Sequence, residues 1–344
     1  MKLYPNINKI FIIWLVSVLL VSYFGFSTLP HSGKFSNNFF SNLANWDGGH
    51  FLGIAEKGYS EKFQYAFFPF YPLLINVLNK IINNYLISAI FISVGSTFLG
   101  LHYFCKLVQS DFKKQIAEKA VIVLLFFPTS FFFLTAYSEG LFFLLTVLTF
   151  YFLRKNKLFW AVVFASLASA TRLVGLAVAA AVIIDVLGKD GINRKNWYVF
   201  FAILGFVIYS IFLYRQTGDP FYFITAENHW QRILVAPGVG FWEALKNMPT
   251  GILDLGFAIF GLGFAIRAFR FLPSVYAIYG LLSVVIPLFT PTLTSSPRFL
   301  LPVFPIFILM AFVKNQYFVL FFQVISLMLL GIFSVMFVTG YWVS

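Results

Sequence analysis

Charge is what this 344-residue chain has least of. Asp, Glu, Lys and Arg make up 10% of its residues and hydrophobic types 60%, whereas a soluble domain carries about 25% charged residues. A water-soluble globule is therefore excluded, and the mean hydropathy of +0.87 fits a polytopic membrane protein. Cysteine is almost missing too. The single Cys105 lies in an apolar run, which excludes an intrachain disulfide and a cysteine-rich metal site. The four histidines, His31, His50, His102 and His229, are too widely spaced to read as a metal set. There is no P-loop, no G-x-G-x-x-G after a strand, no H-E-x-x-H and no G-x-S-x-G. These absences argue against a nucleotide as direct substrate and against a hydrolytic zinc site; no metal and no cofactor is expected. A substrate already activated and carried in the membrane fits better.

What charge there is has a sign and a pattern. The formal net charge is +12, but the basic residues stand at the ends of apolar segments and are not gathered on one domain. That placement reads as topology signal and attraction to anionic lipid, not as nucleic-acid binding. The 48 Phe residues read as lipid-facing and core surface.

Taken in order, the chain predicts an all-α fold in a single domain over 1–344, with about eleven transmembrane helices. Lys2 and Lys9 precede an apolar run from Ile10 to about Leu29, read as an uncleaved first span with its N-terminus in the cytoplasm. Residues 30–66 form a helical first outer loop. Phe67–Ile82 is apolar but short and interrupted by Pro69 and Pro72, so it reads as a re-entrant or interfacial helix. Further spans are expected at Tyr85–Leu107, Ala120–Thr135, Leu141–Leu153, Leu158–Ala170, Leu173–Leu187 and Trp197–Tyr214. After a second large outer loop, 215–249, come Thr250–Ile266, Pro273–Phe289, Phe299–Val313 and Tyr317–Tyr341. With this topology the inner loops hold nearly twice as many Lys and Arg as the outer ones, as the positive-inside rule requires.

The unusual polar sites then all fall on the outer face, and the stretch from Asn45 to Pro72 leads them. Asp47 stands between Trp46 and Gly48-Gly49, a carboxylate beside backbone that lets another molecule approach. Shielded by Trp46 and lipid, it would accept protons near neutral pH, as a general base must. The competing reading is a helix N-cap. Glu56 either orients an acceptor or pairs with Lys57. Ser138-Glu139 after Tyr137 either caps a helix and favours its dipole, or belongs to the site. Arg172 lies between apolar stretches where an unpaired cation is expensive. It calls for an ion pair with Asp47 or Glu139, or for a phosphate. Arg298, in Ser295-Ser296-Pro297-Arg298, poses the same choice, since two arginines at the outer boundary would hold a lipid-linked phosphate bidentately. Glu227-Asn228-His229-Trp230-Gln231 reads as a cover for such a ligand or as a solvated loop.

These motifs carry a resemblance. WDGGHFLGIAEKGY followed by YAFFPFYPLL resembles the first-loop signature of the PIG-V family of mannosyltransferases, and AYSEGLFFLL, SATRLVGLA and SSPRFLLPVFP follow in that family's order. The resemblance implies a GT-C-type glycosyltransferase fold, a polyprenyl- or dolichyl-phosphate mannose donor, and an Asp in the first outer loop as catalytic base. Asp47 is the matching position. Trp46, His50, Glu56 and Tyr137 are taken with Glu139, Arg172, His229 and Arg298 as the substrate-binding set.

The expected function is a cell-membrane glycosyltransferase with its active site on the extracytoplasmic face. It would move a hexose, mannose by the resemblance, from a polyprenyl-phosphate donor to a glycan, glycolipid or protein hydroxyl with inversion. A single base suffices, because lipid phosphate is a good leaving group; glycosidases instead need two carboxylates. The alternative is a lipid or sugar-lipid transporter using the same arginines without chemistry. The halves show no matching repeat of the kind transporters use.

Overall fold

A computed structural model describes residues 7–248 and 251–343. Lys2 and the first residue of the span expected at Thr250 lie outside them. Among the described residues the chain is helical throughout, with no strand.

Among the described residues five helices are long and apolar enough to cross a membrane: Ile7–Thr28, Tyr85–Asp111, Trp197–Thr217, Ile252–Phe271 and Gln316–Val338. In chain order the helices are α1 (Ile7–Thr28), α2 (Asp47–Lys57), α3 (Phe70–Ile82), α4 (Tyr85–Asp111), α5 (Lys114–Leu125), α6 (Glu139–Arg154), α7 (Leu158–Ser169) and α8 (Gly175–Asp190). The second half has α9 (Leu204–Thr217), the short α10 (Tyr222–Ala226) and α11 (Val239–Lys246), then α12 (Ile252–Phe271), α13 (Ser274–Val285), α14 (Ser296–Leu300), α15 (Phe304–Ala311) and α16 (Gln316–Val338).

Several expected spans are broken into pieces. The one expected at Ala120–Thr135 ends as α5 at Leu125 and resumes only as a tight turn at Ser130–Phe133, past Pro128. The one expected at Phe299–Val313 divides into α14 and α15, with Pro302 between them and Pro305 opening the second. Proline lacks the N–H that a helix interior needs, so such breaks follow from sequence. At about 1.5 Å per residue, helices of 8 to 16 residues fall short of a 30 Å hydrocarbon core unless pieces combine.

The prolines of α3 act otherwise than expected. Pro69 precedes the helix and Pro72 sits in its first turn, so they open α3 and do not break it. Tyr71, Pro72 and Ile75 are buried, while Leu73, Val77 and Ile81, four apart, are exposed. One apolar face therefore packs inward and another is left outward.

Two helices anchor the centre. Gly140 lets α6 lie against α4 so closely that a Cβ there would meet Ser93 O and Thr97 Oγ1 at 2.5 Å. Ser93 Oγ donates to the Tyr137 carbonyl at 2.8 Å and shares a 2.8 Å hydrogen bond with Tyr71 Oη, tying α3, α4 and the turn before α6. At the far end of α6, Arg154 pairs with Asp111 at the end of α4, whose other oxygen accepts from Tyr276 Oη at 2.7 Å. α6, α8 and α12 carry Arg154, Lys189 and Arg270 in their last turns.

Candidate active site

The site is assembled on backbone fastened from three sides. The Ala136 N–H donates to Leu43 O at 2.9 Å, and Tyr137 Oη donates to Asn45 O at 3.0 Å. The Asn42 and Asn45 side-chain amides donate to Val338 O and Phe337 O at the end of α16, at 2.8 and 2.9 Å. Between these fixed points Trp46 adopts φ 58°, ψ −124°, a region that a bulky residue occupies only under constraint, at roughly 1–3 kcal/mol. The constraint is visible: its ring packs edge-on to Phe35 and Trp342 at 5.0 and 4.9 Å.

That kink starts α2 at Asp47. Asp47 is thus the first residue of the helix, not its N-cap, and the residue before it caps nothing with its side chain. Gly48-Gly49 is helical, not a turn. Gly48 serves close approach instead: a Cβ would meet Ala44 Cβ and Tyr137 Cε2 at 3.3 Å. The Trp46 ring, expected to shield Asp47, packs against Phe35 and Trp342.

Asp47 turns to Arg298. Arg298 Nη1 donates to Asp47 Oδ2 at 2.8 Å, and its Nε lies 3.4 Å from Glu139 Oε1. The same Glu139 oxygen accepts from Arg172 Nη1 at 2.5 Å, and that nitrogen also donates to Ser138 Oγ at 3.2 Å. The result is one chain of four charges, Asp47–Arg298–Glu139–Arg172, two of each sign. Glu139 is fully buried, and Asp47, Arg298 and Arg172 keep side-chain exposures of 17%, 12% and 15%. The ion pair Arg172 called for is thus made with Glu139. Ser138 takes a hydrogen bond from Arg172 and gives the helix no side-chain cap. Thr129 Oγ1 donates to Pro297 O at 3.0 Å and so holds the short α14 that presents Arg298.

These groups open on a cavity of about 1190 Å³. Asp47, Tyr137, Glu139, Arg172, His229 and Arg298 all line it. His50 stands one layer back, its ring 5.3 Å from Phe67 and 6.2 Å from Trp230, both lining residues. Burial lowers its pKa, against the pull of Asp47 and with that of His229. His229 stacks on Phe63 at 4.3 Å. Trp46 reaches the cavity only through Trp342. Glu56 is not brought in: it is exposed at the far end of α2, 4.0 Å from Lys57. Among the described residues no group of three His, Cys, Asp or Glu side chains is placed to hold a metal ion.

Two lining residues, Arg232 and Asp254, had no place among the expected site residues, and Glu227 was expected only as part of the 227–231 cover segment. Burial raises the Glu227 pKa; Arg232 opposes and Asp47 adds to the rise. Asp254 keeps one buried oxygen without a partner. Each sat in a loop or at a helix start with no motif around it.

The profile of the family described as "Mannosyltransferase (PIG-V)" matches residues 26–221, more than half of the chain and including Asp47, Glu139 and Arg172. The chain belongs to this family. A GPI mannosyltransferase of Caenorhabditis elegans (pigv-1) is 30% identical over 137 residues, 34% of this chain and 20% of that one. A human GPI alpha-1,6-mannosyltransferase 2 is 29% identical over 145 residues, 39% of this chain and 29% of that one. The matched stretches thus span less than a third of either relative. Among solved structures, an oligosaccharyltransferase of Archaeoglobus fulgidus superposes with a TM-score of 0.48 at 14% identity, covering 95% of this chain and 53% of that one. A superposition that loose carries no fold argument.

Proposed function

We propose that this PIG-V family member is a membrane mannosyltransferase that takes its sugar from a polyprenyl-phosphate donor and passes it, with inversion, to an acceptor hydroxyl. The acceptor is a glycan, glycolipid or protein outside the cytoplasm. The carrying observation is Asp47: Arg298 fixes its Oδ2, while its Oδ1 takes no hydrogen bond from the described residues and the side chain faces the 1190 Å³ cavity. A carboxylate held by one oxygen and open at the other is oriented to take a proton.

In the reaction, Asp47 accepts the acceptor's hydroxyl proton as that oxygen bonds to the anomeric carbon. The bond from that carbon to the donor phosphate breaks, and its electron pair leaves with the phosphate oxygen. Preorganised cations favour the charge that develops there. Tyr137, Glu139 and Arg172 act on position: Arg172 and Arg298 hold Glu139, and Arg298 holds Asp47. His229 with Trp230 forms an aromatic wall for the sugar.

The extracytoplasmic placement is supported by the basic ends of α6, α8 and α12, opposite the cavity. In the same reading the chain is one GT-C-type domain over 1–344, with α3 lying at the outer interface on its exposed apolar stripe. Family membership weighs against the transporter.

The test is Asp47→Asn, which keeps the shape and removes the basicity. Consumption of polyprenyl-phosphate mannose by membrane vesicles should fall on the order of a hundredfold or more, in a variant that still folds although Arg298 then keeps only Glu139 as its charged partner. Near-normal transfer by the folded variant would sink the general-base assignment.

A further inference from the structure

The two arginines that the sequence puts forward for a lipid phosphate are already engaged. Arg298 is paired with Asp47 and Glu139, and Arg172 with Glu139, so this group of four charges is neutral. An incoming anion meets no net attraction there, and seizing either arginine would break a pair that positions Asp47.

Arg232 is different. It lines the same cavity, and no carboxylate of the described residues stands within ion-pair distance of it. Glu227 bears on it electrostatically only from beyond that range. Its side chain is oriented nonetheless. Nη2 donates to Thr294 O at 2.8 Å, and the guanidinium lies 5.0 Å over the Phe299 ring. Nε and Nη1 are left without an acceptor among the described residues. A held guanidinium with two free donors is the geometry that grips a phosphate.

The flanking residues say which kind of phosphate. Gln231, at φ 58°, ends the 227–230 turn and swings the chain so that Arg232 lies inside while the next two residues face out. Ile233 and Leu234 line the cavity and are 51% and 70% exposed. The neighbouring Phe289, whose carbonyl accepts from Val235 N at 2.8 Å, is also partly exposed. Apolar surface thus runs outward from Arg232, which among the described residues is the cavity arginine without an ion pair. Free phosphate would have no use for it; a phosphate on a hydrocarbon chain would.

We infer that Arg232 binds the phosphate of a lipid-linked donor, with the proximal part of its hydrocarbon chain lying along Ile233, Leu234 and Phe289. This rests on the mannosyltransferase reading above and moves the phosphate contact from Arg172 and Arg298 to Arg232. The cleaved bond leaves its electron pair on the phosphate, which gains one negative charge, and Arg232 has a cationic charge not engaged by an ion pair among the described residues.

The experiment measures binding of farnesyl phosphate, farnesol and inorganic phosphate to the purified full chain in nanodiscs, then donor consumption by the same samples. Arg232→Gln should weaken farnesyl phosphate about ten- to hundredfold, as the loss of a charge-assisted hydrogen bond does, and leave farnesol unchanged. Glu227→Gln removes the nearby acid and should tighten farnesyl phosphate, which keeps the inference testable if Arg232→Gln fails to fold. Farnesyl phosphate should bind much more tightly than inorganic phosphate to the wild type; equal affinities would overturn the lipid part. Wild-type affinity in Arg232→Gln, or no gain in Glu227→Gln, would overturn the Arg232 assignment. Normal donor consumption by Arg232→Gln overturns this inference while the transferase reading stands. Tight, Arg232-dependent binding without sugar transfer by the wild type does the reverse.

Discussion

Glu139→Gln tests whether the four-charge chain holds the site together. One Glu139 oxygen serves Arg172 at 2.5 Å and Arg298 at 3.4 Å, and the carboxylate is wholly buried. Glutamine keeps an acceptor of the same shape but leaves two cations, only 15% and 12% exposed, facing the single charge of Asp47. Breaking a buried pair costs about 3–5 kcal/mol. The glutamine oxygen still accepts from Arg172, and the arginines keep some water, which puts the expectation near 3 kcal/mol at the low end. Glu56→Gln is the control: it loses an exposed pair at 4.0 Å, a contact worth about 0–1 kcal/mol. Apparent Tm in detergent would be followed for both variants, and for Glu139→Gln combined with Arg172→Gln. The double variant should recover part of the loss, since it removes the orphaned cation with its partner. If Glu139→Gln melts with Glu56→Gln, the network is not what holds this region.

Membrane class and the family were legible because each leaves a trace in the sequence, composition for one and a run of identities for the other; the Asp beside glycines drew notice to Asp47, which the fold places on the cavity. Arg172 was legible for an energetic reason, since a cation between apolar stretches must find a partner, and Glu139 was one of two acids named for it. The course of the helices was less so. Apolarity marks what can lie in lipid, but it does not say where Pro128 or Pro302 divides a span. Asp47 as cap or as helix residue turned on the backbone of Trp46, whose positive φ goes with ring contacts to Phe35 and to Trp342 at the other end of the chain. Arg232 was counted as one more outer cation. Its distinction is that among the described residues it has no ion-pair partner, and that emerges only from the folded arrangement, in which Arg172 and Arg298 are both paired.

Two further outcomes are expected. Gly140→Ala should destabilise the protein by about 1–3 kcal/mol, read as a fall in apparent Tm, because the new Cβ meets the Ser93 carbonyl at 2.5 Å and backbone cannot yield as a side chain does. The other concerns pH. Burial raises the Glu227 pKa, with Arg232 opposing and Asp47 adding to the rise. A raised carboxyl pKa means that the fold disfavours the ionised form, so this group costs stability at neutral pH; the cost shrinks as pH falls below the folded value and is gone once pH is below the unfolded one. Glu227→Gln removes the ionisation altogether. The variant should therefore melt above the wild type at pH 7, and the gap should close on acidification as the wild-type carboxyl takes up its proton. Parallel melting curves from pH 7 to pH 4 would refute this, because a change in packing alone has no reason to vanish with protonation at one site. A gap that widens toward acid would mean that the ionised Glu227 is stabilising, held by Arg232 more strongly than burial opposes it.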